Sequence, residues 1–237
     1  MAEVLTAPGG TPLTVCAPAG APKAGLVVLQ EGFGVTGHIV NVGSRLADEG
    51  YVAVIPHLFH RAGDPRVPYE DQSDAVRYLQ ALTAEGLEED LDAALNHLAA
   101  LGFQPAQLGA IGFCHGGGVA LLAAAKRDLS VGITFYGGGI QTARYGLPAL
   151  TELARSLKVP WLGLYGALDA SIPEAQLSSL ESAAKSSGQP VELICYPDAG
   201  HGFFCEERDS YNPEVSADAW RKTLEWIDKY LDSRRTN

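Results

Sequence analysis

Residues 111–120 read IGFCHGGGVA, and the run Gly112-Phe113-Cys114-His115-Gly116 sets the frame for the whole chain. An apolar run of strand length, LGAIGF (108–113), ends on Cys114, and a segment rich in glycine and alanine follows as a helix. Glycines two residues either side of Cys114 give the G-x-nucleophile-x-G spacing of a sharp strand-to-helix turn, where larger side chains would collide. Serine is the residue expected at the apex of such a turn, and here a cysteine stands there. Free cysteine is commonly a small buried hydrophobe. At a helix N-terminus, however, unpaired N–H groups and the positive dipole end favour the thiolate over the thiol. Cys114 is therefore the candidate nucleophile.

Working outward, the same strand pattern recurs. AGLVVLQ (24–30), YVAVIP (51–56), VGITFYG (131–137), WLGLYG (161–166) and VELICYP (191–197) are apolar almost throughout. Continuous apolar strands are what a parallel sheet covered on both faces requires. Helical spacing lies between them: Leu87, Leu91, Leu95 and Leu98 form one stripe, and Trp220, Leu224, Ile227 and Leu231 predict another on the last helix. The opening VLTAPGGTPLTVCAP (4–18) reads as a short hairpin turning near Gly9-Gly10. The alternation predicts a doubly wound α/β fold, a mostly parallel central sheet with helices on both faces. Ligands in such folds bind beyond the carboxyl ends of the strands, so polar residues there become candidates.

With 237 residues, 46% of them hydrophobic, and no linker, repeat or low-complexity tract, the chain reads as one domain over 1–237. A formal charge of −11 argues against nucleic-acid binding, which needs clustered Lys and Arg. MAEVLTAPGG carries no signal-peptide pattern, and the longest purely apolar run, 119–125, is too short to cross a membrane. Cysteines at 16, 114, 195 and 205 form no C-x-x-C pair, which points away from zinc or disulfides and toward a reducing, cytoplasmic setting.

A nucleophile needs a base, and the base an orienting group. His201 lies in YPDAGHGF (196–203), between the last strand and the last helix, and Asp169 lies in ALDASIP (167–173), just after a strand. The order Cys114, Asp169, His201 is that of nucleophile, acid and base in α/β-hydrolases. Asp198, three residues before His201, reads as a turn former. Glu31 ends the apolar strand 24–30; a carboxylate there faces water or needs a partner. Placed beside Cys114, it would disfavour a second negative charge and hold the sulfur as a thiol.

GFGVTG (32–37) offers a different class, since it spells the dinucleotide fingerprint of a nicotinamide oxidoreductase. That reading requires an acid at the end of the next strand, where His57-Leu58-Phe59-His60 stands instead. His57 and His60 lack a third metal ligand, and no Lys-Ser or Lys-Thr follows a glycine cluster as a P-loop requires. Glycines 116–118 read as close packing of the elbow helix on the sheet. No cofactor and no metal are called for.

QEGFGV (30–35), GFCHGG (112–117), LYGALDASIP (164–173) and YPDAGHGF together resemble the dienelactone hydrolase family over about residues 24–230. The resemblance implies an α/β-hydrolase fold and a cysteine-dependent hydrolase of small lactones or esters, with Cys114 attacking the carbonyl through a thioester. It implies His201 as base, Asp169 orienting it, and Glu31 pairing with the resting thiol. It further implies the amides of Gly32 and His115 as an oxyanion hole and Tyr136 lining the pocket. Well-known members hold a substrate carboxylate with arginines, one of them four residues beyond the histidine. That position is Cys205 here, the nearest arginine is Arg208, and Arg61, Arg66 and Arg77 remain candidates for a second. The expected partner is a small-molecule ester or lactone, with neither nucleic acid nor membrane, for a monomer or small homo-oligomer. A general carboxylesterase or thioesterase, or a non-catalytic ligand binder of the same fold, are the alternatives.

Overall fold

Residues 2–231 are described in a computed structural model of the chain. Eight strands form one sheet: β1 (Ala2–Thr6), β2 (Pro12–Cys16), β3 (Ala24–Leu29), β4 (Tyr51–Pro56), β5 (Leu108–Phe113), β6 (Val131–Phe135), β7 (Trp161–Gly166) and β8 (Val191–Tyr196). Their spatial order is β1-β2-β4-β3-β5-β6-β7-β8. The first two form the antiparallel hairpin, turning through Gly9 and Gly10, both with positive φ, and β3 to β8 run parallel. The helices are α1 (Gly37–Asp48), α2 (Gln72–Gln80), α3 (Ala84–Ala100), α4 (His115–Lys126), α5 (Leu150–Ala154), α6 (Glu174–Lys185) and α7 (Pro213–Tyr230).

Successive side chains of a strand point to opposite faces, so each central strand must find an apolar partner on both. Val27 and Leu29 of β3 pack with α3 and α4 on one face, while Leu26 and Val28 pack with α1 and α7 on the other. The stripe of Leu87, Leu91, Leu95 and Leu98 is buried as its spacing predicts. Of the stripe expected on the last helix, Ile227 and Leu231 are buried, and Ser216, Ala219, Thr223 and Trp226 of α7 are buried with them. Trp220 and Leu224 lie at the margin and stay half-buried. There Trp220 stacks on Phe204 and lies under the Arg45 guanidinium. No helix among the described residues is long and apolar enough to cross a membrane.

The strand order reverses at β3. From there the chain goes to β4 on one side, then returns through α2 and α3 to β5 on the other. Loops leaving β3 and β5 diverge at this switch point and leave a crevice at their carboxyl ends. Glu31 and Cys114 follow those two strands.

The crevice depends on close backbone contact. A Cβ on Gly112 would sit 1.9 Å from the Gly116 carbonyl oxygen, and one on Gly116 would sit 2.3 and 2.4 Å from the Leu29 and Gln30 oxygens. In their absence the Gly116 N–H donates to the Gln30 carbonyl at 3.0 Å, tying α4 to the end of β3. Backbone atoms cannot step aside as a flexible side chain can. Gly116→Ala should therefore lower unfolding stability by at least about 3 kcal/mol in denaturant titration. A loss under about 0.5 kcal/mol would show that the contact is not tight.

Candidate active site

Cys114 sits between β5 and α4 with φ 54° and ψ −115°, a conformation that L side chains rarely adopt. Its N–H donates to the Phe135 carbonyl at 3.0 Å and its carbonyl accepts from Gly117, so neighbours on both sides hold the strained turn. The thiol is partly buried. It meets the His201 imidazole, which reaches it from the loop between β8 and α7. Burial alone would push the thiol up. The charge of His201 and a hydrogen bond from it outweigh burial and bring the thiol below its ordinary value. Burial likewise opposes charge on His201, but the sulfur and the Asp169 carboxylate raise the imidazole well above its ordinary value.

His201 Nδ1 donates to Asp169 Oδ2 at 2.6 Å. Asp169 follows β7 and is only 5% exposed. Its other oxygen accepts the Ser171 N–H at 2.9 Å and the Ser171 hydroxyl. Although burial penalises the carboxylate, these donors hold its pKa below the usual range. Ser171 is a site residue that the sequence did not single out; an Asp followed two residues on by Ser is the signal that could have found it. Asp198 is exposed, and its carbonyl accepts from Asn212 in the turn, as expected of a turn former.

Glu31 is completely buried at the end of β3. Its Oε1 accepts from Arg208 Nη1 at 3.4 Å, while Oε2 has no hydrogen-bond partner among the described residues. Its charge lies close enough to Cys114 to oppose the thiolate, and the Arg208 charge works in the opposite direction. The bond from Glu31 thus runs to an arginine, and the thiol's own partner is His201.

Arg208 comes from seven residues beyond His201, and Cys205, in the position expected to carry an arginine, is fully buried. Burial and the Glu31 charge push the Cys205 thiol up to about 12, so it remains neutral. The guanidinium of Arg208 lies against the Phe33 and Tyr69 rings, 5.4 and 5.8 Å from their centroids. No spacing in the sequence announces these two aromatic residues as its neighbours. The other arginines lie elsewhere. Arg61 pairs with Asp90 and Glu89, Arg77 pairs with Asp74, and Arg66 is exposed without an ion pair among the described residues.

Tyr136 is buried at the end of β6, with φ 38° and its ring 5.1 Å from that of His201. Its hydroxyl has no partner among the described residues. Burial and the Arg144 charge pull His115 down to about 3, so its imidazole is neutral. As the first residue of α4, His115 presents an N–H that no intrahelical carbonyl can take. Gly32 is buried in the loop leaving β3, beside the elbow.

Gly34 of the 32–37 motif serves packing. A Cβ on Gly34 (φ +86°) would lie 2.3 Å from the Pro65 oxygen, so protein fills the space where a pyrophosphate would approach. His57 is held by Thr14 and Asp64 at 2.8 and 2.6 Å, and His60 by Asp90 at 3.0 Å. These contacts fasten the 57–64 loop.

A family model described as "Dienelactone hydrolase family" matches residues 13–231. A protein of Escherichia coli O157:H7 named "Putative carboxymethylenebutenolidase" is 36% identical over 88% of this chain and 78% of its own length. One of the same name from Synechocystis sp. is 35% identical over 83% of this chain and 82% of its own. The crystal structure of a "Putative Dienelactone Hydrolase" from Klebsiella pneumoniae superposes with a TM-score of 0.90 at 32% identity, covering 97% of this chain and 99% of that one.

Two measurements check these electrostatics. Ultraviolet thiolate absorbance, read against Cys114→Ala, should persist to lower pH than that of an ordinary cysteine. It should fade as pH falls through a midpoint below the ordinary cysteine value of about 8.5. His201→Ala should move that midpoint up, and no upward movement would contradict the coupling. Arg208→Met leaves the buried Glu31 carboxylate alone, which should cost about 3 kcal/mol in denaturant unfolding and also raise the thiol midpoint.

Proposed function

The chain belongs to the dienelactone hydrolase family, and from that membership we propose a cysteine-dependent hydrolase of a small lactone or carboxylic ester. Cys114, His201 and Asp169 act together, and the chain works as one catalytic domain. The observation that carries this reading is a thiol on a strained elbow, coupled to an imidazole that is itself fixed by a buried carboxylate.

The Cys114 sulfur, paired with protonated His201, attacks the carbonyl carbon; the C–S bond forms as the carbonyl π electrons move to oxygen. The amides of Gly32 and His115 receive that oxyanion, an interaction whose loss typically costs about 3 kcal/mol of barrier. Collapse re-forms the carbonyl and breaks the acyl C–O bond, and His201 gives its proton to the leaving alkoxide. In a lactone the alcohol stays attached to the acyl group. His201, now neutral, takes a proton from water as the water oxygen attacks the thioester. The acid is released with the thiolate and imidazolium restored. Asp169 keeps the imidazole in the required tautomer and orientation throughout.

Glu31 opposes the thiolate by its charge, and the larger contribution of His201 overrides it. Tyr136 forms a wall of the acyl pocket beside the imidazole.

Cys114→Ala should lower hydrolysis of a panel of small esters and lactones at least about 10³-fold, with unfolding stability kept. Asp169→Asn should lower kcat about 10²- to 10⁴-fold with less effect on KM, because the imidazole loses its tautomer. Near-native activity in Cys114→Ala would remove the nucleophile assignment.

A further inference from the structure

His201 and Arg208 stand on the same connection, the loop from β8 to α7, and much of its backbone bonding is local. The N–H groups of Cys205, Arg208 and Tyr211 donate to the carbonyls of Gly202, Cys205 and Arg208 at 3.0, 3.1 and 3.0 Å, a chain of single turns. Such turns shape a segment, while side chains decide where it sits on the body of the fold. Glu206 supplies that tie. Its Oε2 accepts from His38 Nδ1 at 2.9 Å and its Oε1 from Asn41 Nδ2 at 2.7 Å, so both oxygens are held by α1. The His38 ring is buried and edge-on to Phe113 and Phe204, 6.0 Å from each, and a ring so packed has little freedom to follow a displaced loop. Arg45, one turn beyond Asn41, lies over Phe204 of the same loop. Residues 38, 41 and 45 share one face of the helix.

What this grip places is Arg208, two residues beyond Glu206. Its guanidinium reaches Glu31 at 3.4 Å and also lies on Gly202, where an added Cβ would come 2.3 Å from Nη1. Gly202 directly follows the imidazole-bearing residue. The same helix, α1, begins at Gly37, just after the loop that leaves β3. One helix therefore ties together the segments that carry Glu31, His201 and Arg208.

We propose that Glu206 is a positioning residue: gripped by His38 and Asn41, it seats the loop so that Arg208 meets Glu31 beside Cys114 and His201. Its effect on catalysis rests on the hydrolase reading; its effect on the thiol can be measured without it.

The test separates place from charge. Removing a negative charge would, through its field alone, ease ionisation of a nearby thiol. Losing the grip does the opposite, because Arg208, which favours the thiolate, is no longer held near it. Glu206→Ala should therefore raise the Cys114 thiolate midpoint, read by ultraviolet absorbance against the same variant carrying Cys114→Ala. Glu206→Gln removes the same charge but still offers His38 an oxygen, and should leave the midpoint at or below its native value. In an Arg208→Met background, Glu206→Ala should produce no further rise. Hydrolysis of a cleaved ester should fall roughly 10- to 100-fold in kcat/KM in Glu206→Ala, and Gln should recover most of the loss.

Asn41→Ala is an exposed helix substitution to the best helix former. It keeps the Glu206 charge, serves if Glu206→Ala does not fold, and should raise the midpoint by a smaller amount. A midpoint unchanged or lowered in both alanine variants overturns the proposal, as does an equal rise in Glu206→Gln or an undiminished rise in the Arg208→Met background. If the midpoints move as expected and no ester is cleaved, the hydrolase reading falls and the positioning role stands. Esters cleaved with unmoved midpoints mean the reverse.

Discussion

The architecture turns on how closely two backbones approach where β5 becomes α4. Gly116 N–H reaches the Gln30 carbonyl at 3.0 Å, and the space that Cβ atoms of Gly112 and Gly116 would need is filled by main-chain oxygens. That contact does two things at once. It brings the end of β3 beside the end of β5, so residues 31–32 and 114–115 share one crevice. It also braces Cys114 in a φ that would otherwise relax, at a cost of order 1–3 kcal/mol for such a conformation. The strain is offset by the packing of α4, whose apolar residues are almost completely buried against the sheet. The rigid layer thereby sets the direction of the sulfur.

Charge is distributed around the sulfur in matched pairs. His201 is fixed on one side by Asp169 and coupled on the other to the thiol; Glu31 and Arg208 form a second pair behind it. Burial works against each charged group taken alone, and each has a partner of opposite charge held within reach. The compensation is incomplete at Glu31 Oε2 and at the Tyr136 hydroxyl, two buried polar atoms left without partners on the protein. Buried unsatisfied groups cost about 1–3 kcal/mol each, and their place beside the sulfur is where a bound molecule could recover that loss.

Much of the molecule was legible in the order of its residues. A strand, Gly-x-Cys-x-Gly and a helix can meet in few ways, because only glycine leaves room for the neighbouring main chain. The apolar strands β3 to β7 reported their own two-sided burial, whereas β8, read in the same way, is the edge strand and stays half-buried; the chain order of Cys114, Asp169 and His201 followed from their places at strand ends. Hydrophobic periodicity placed the buried leucines of α3 correctly. On the last helix it placed Ile227 and Leu231 in the core but not Ser216 and Ala219, small residues that occupy the contact while Trp220 uses its large ring at the margin. GFGVTG shows the opposite limit: its glycines satisfy a phosphate-loop pattern, yet Gly34 makes room for Pro65.

The sequence by itself determined the sheet, the elbow and the identity of the groups that could carry chemistry, since these depend on local sterics and on periodicity along the chain. Only the tertiary structure decided which of several arginines stands by the buried glutamate. Arg61 and Arg77 are taken by acids of their own, while Arg208 is brought across 177 positions to Glu31. Ion pairs between distant segments depend on separation in space and on burial, and neither quantity is encoded in spacing along the chain.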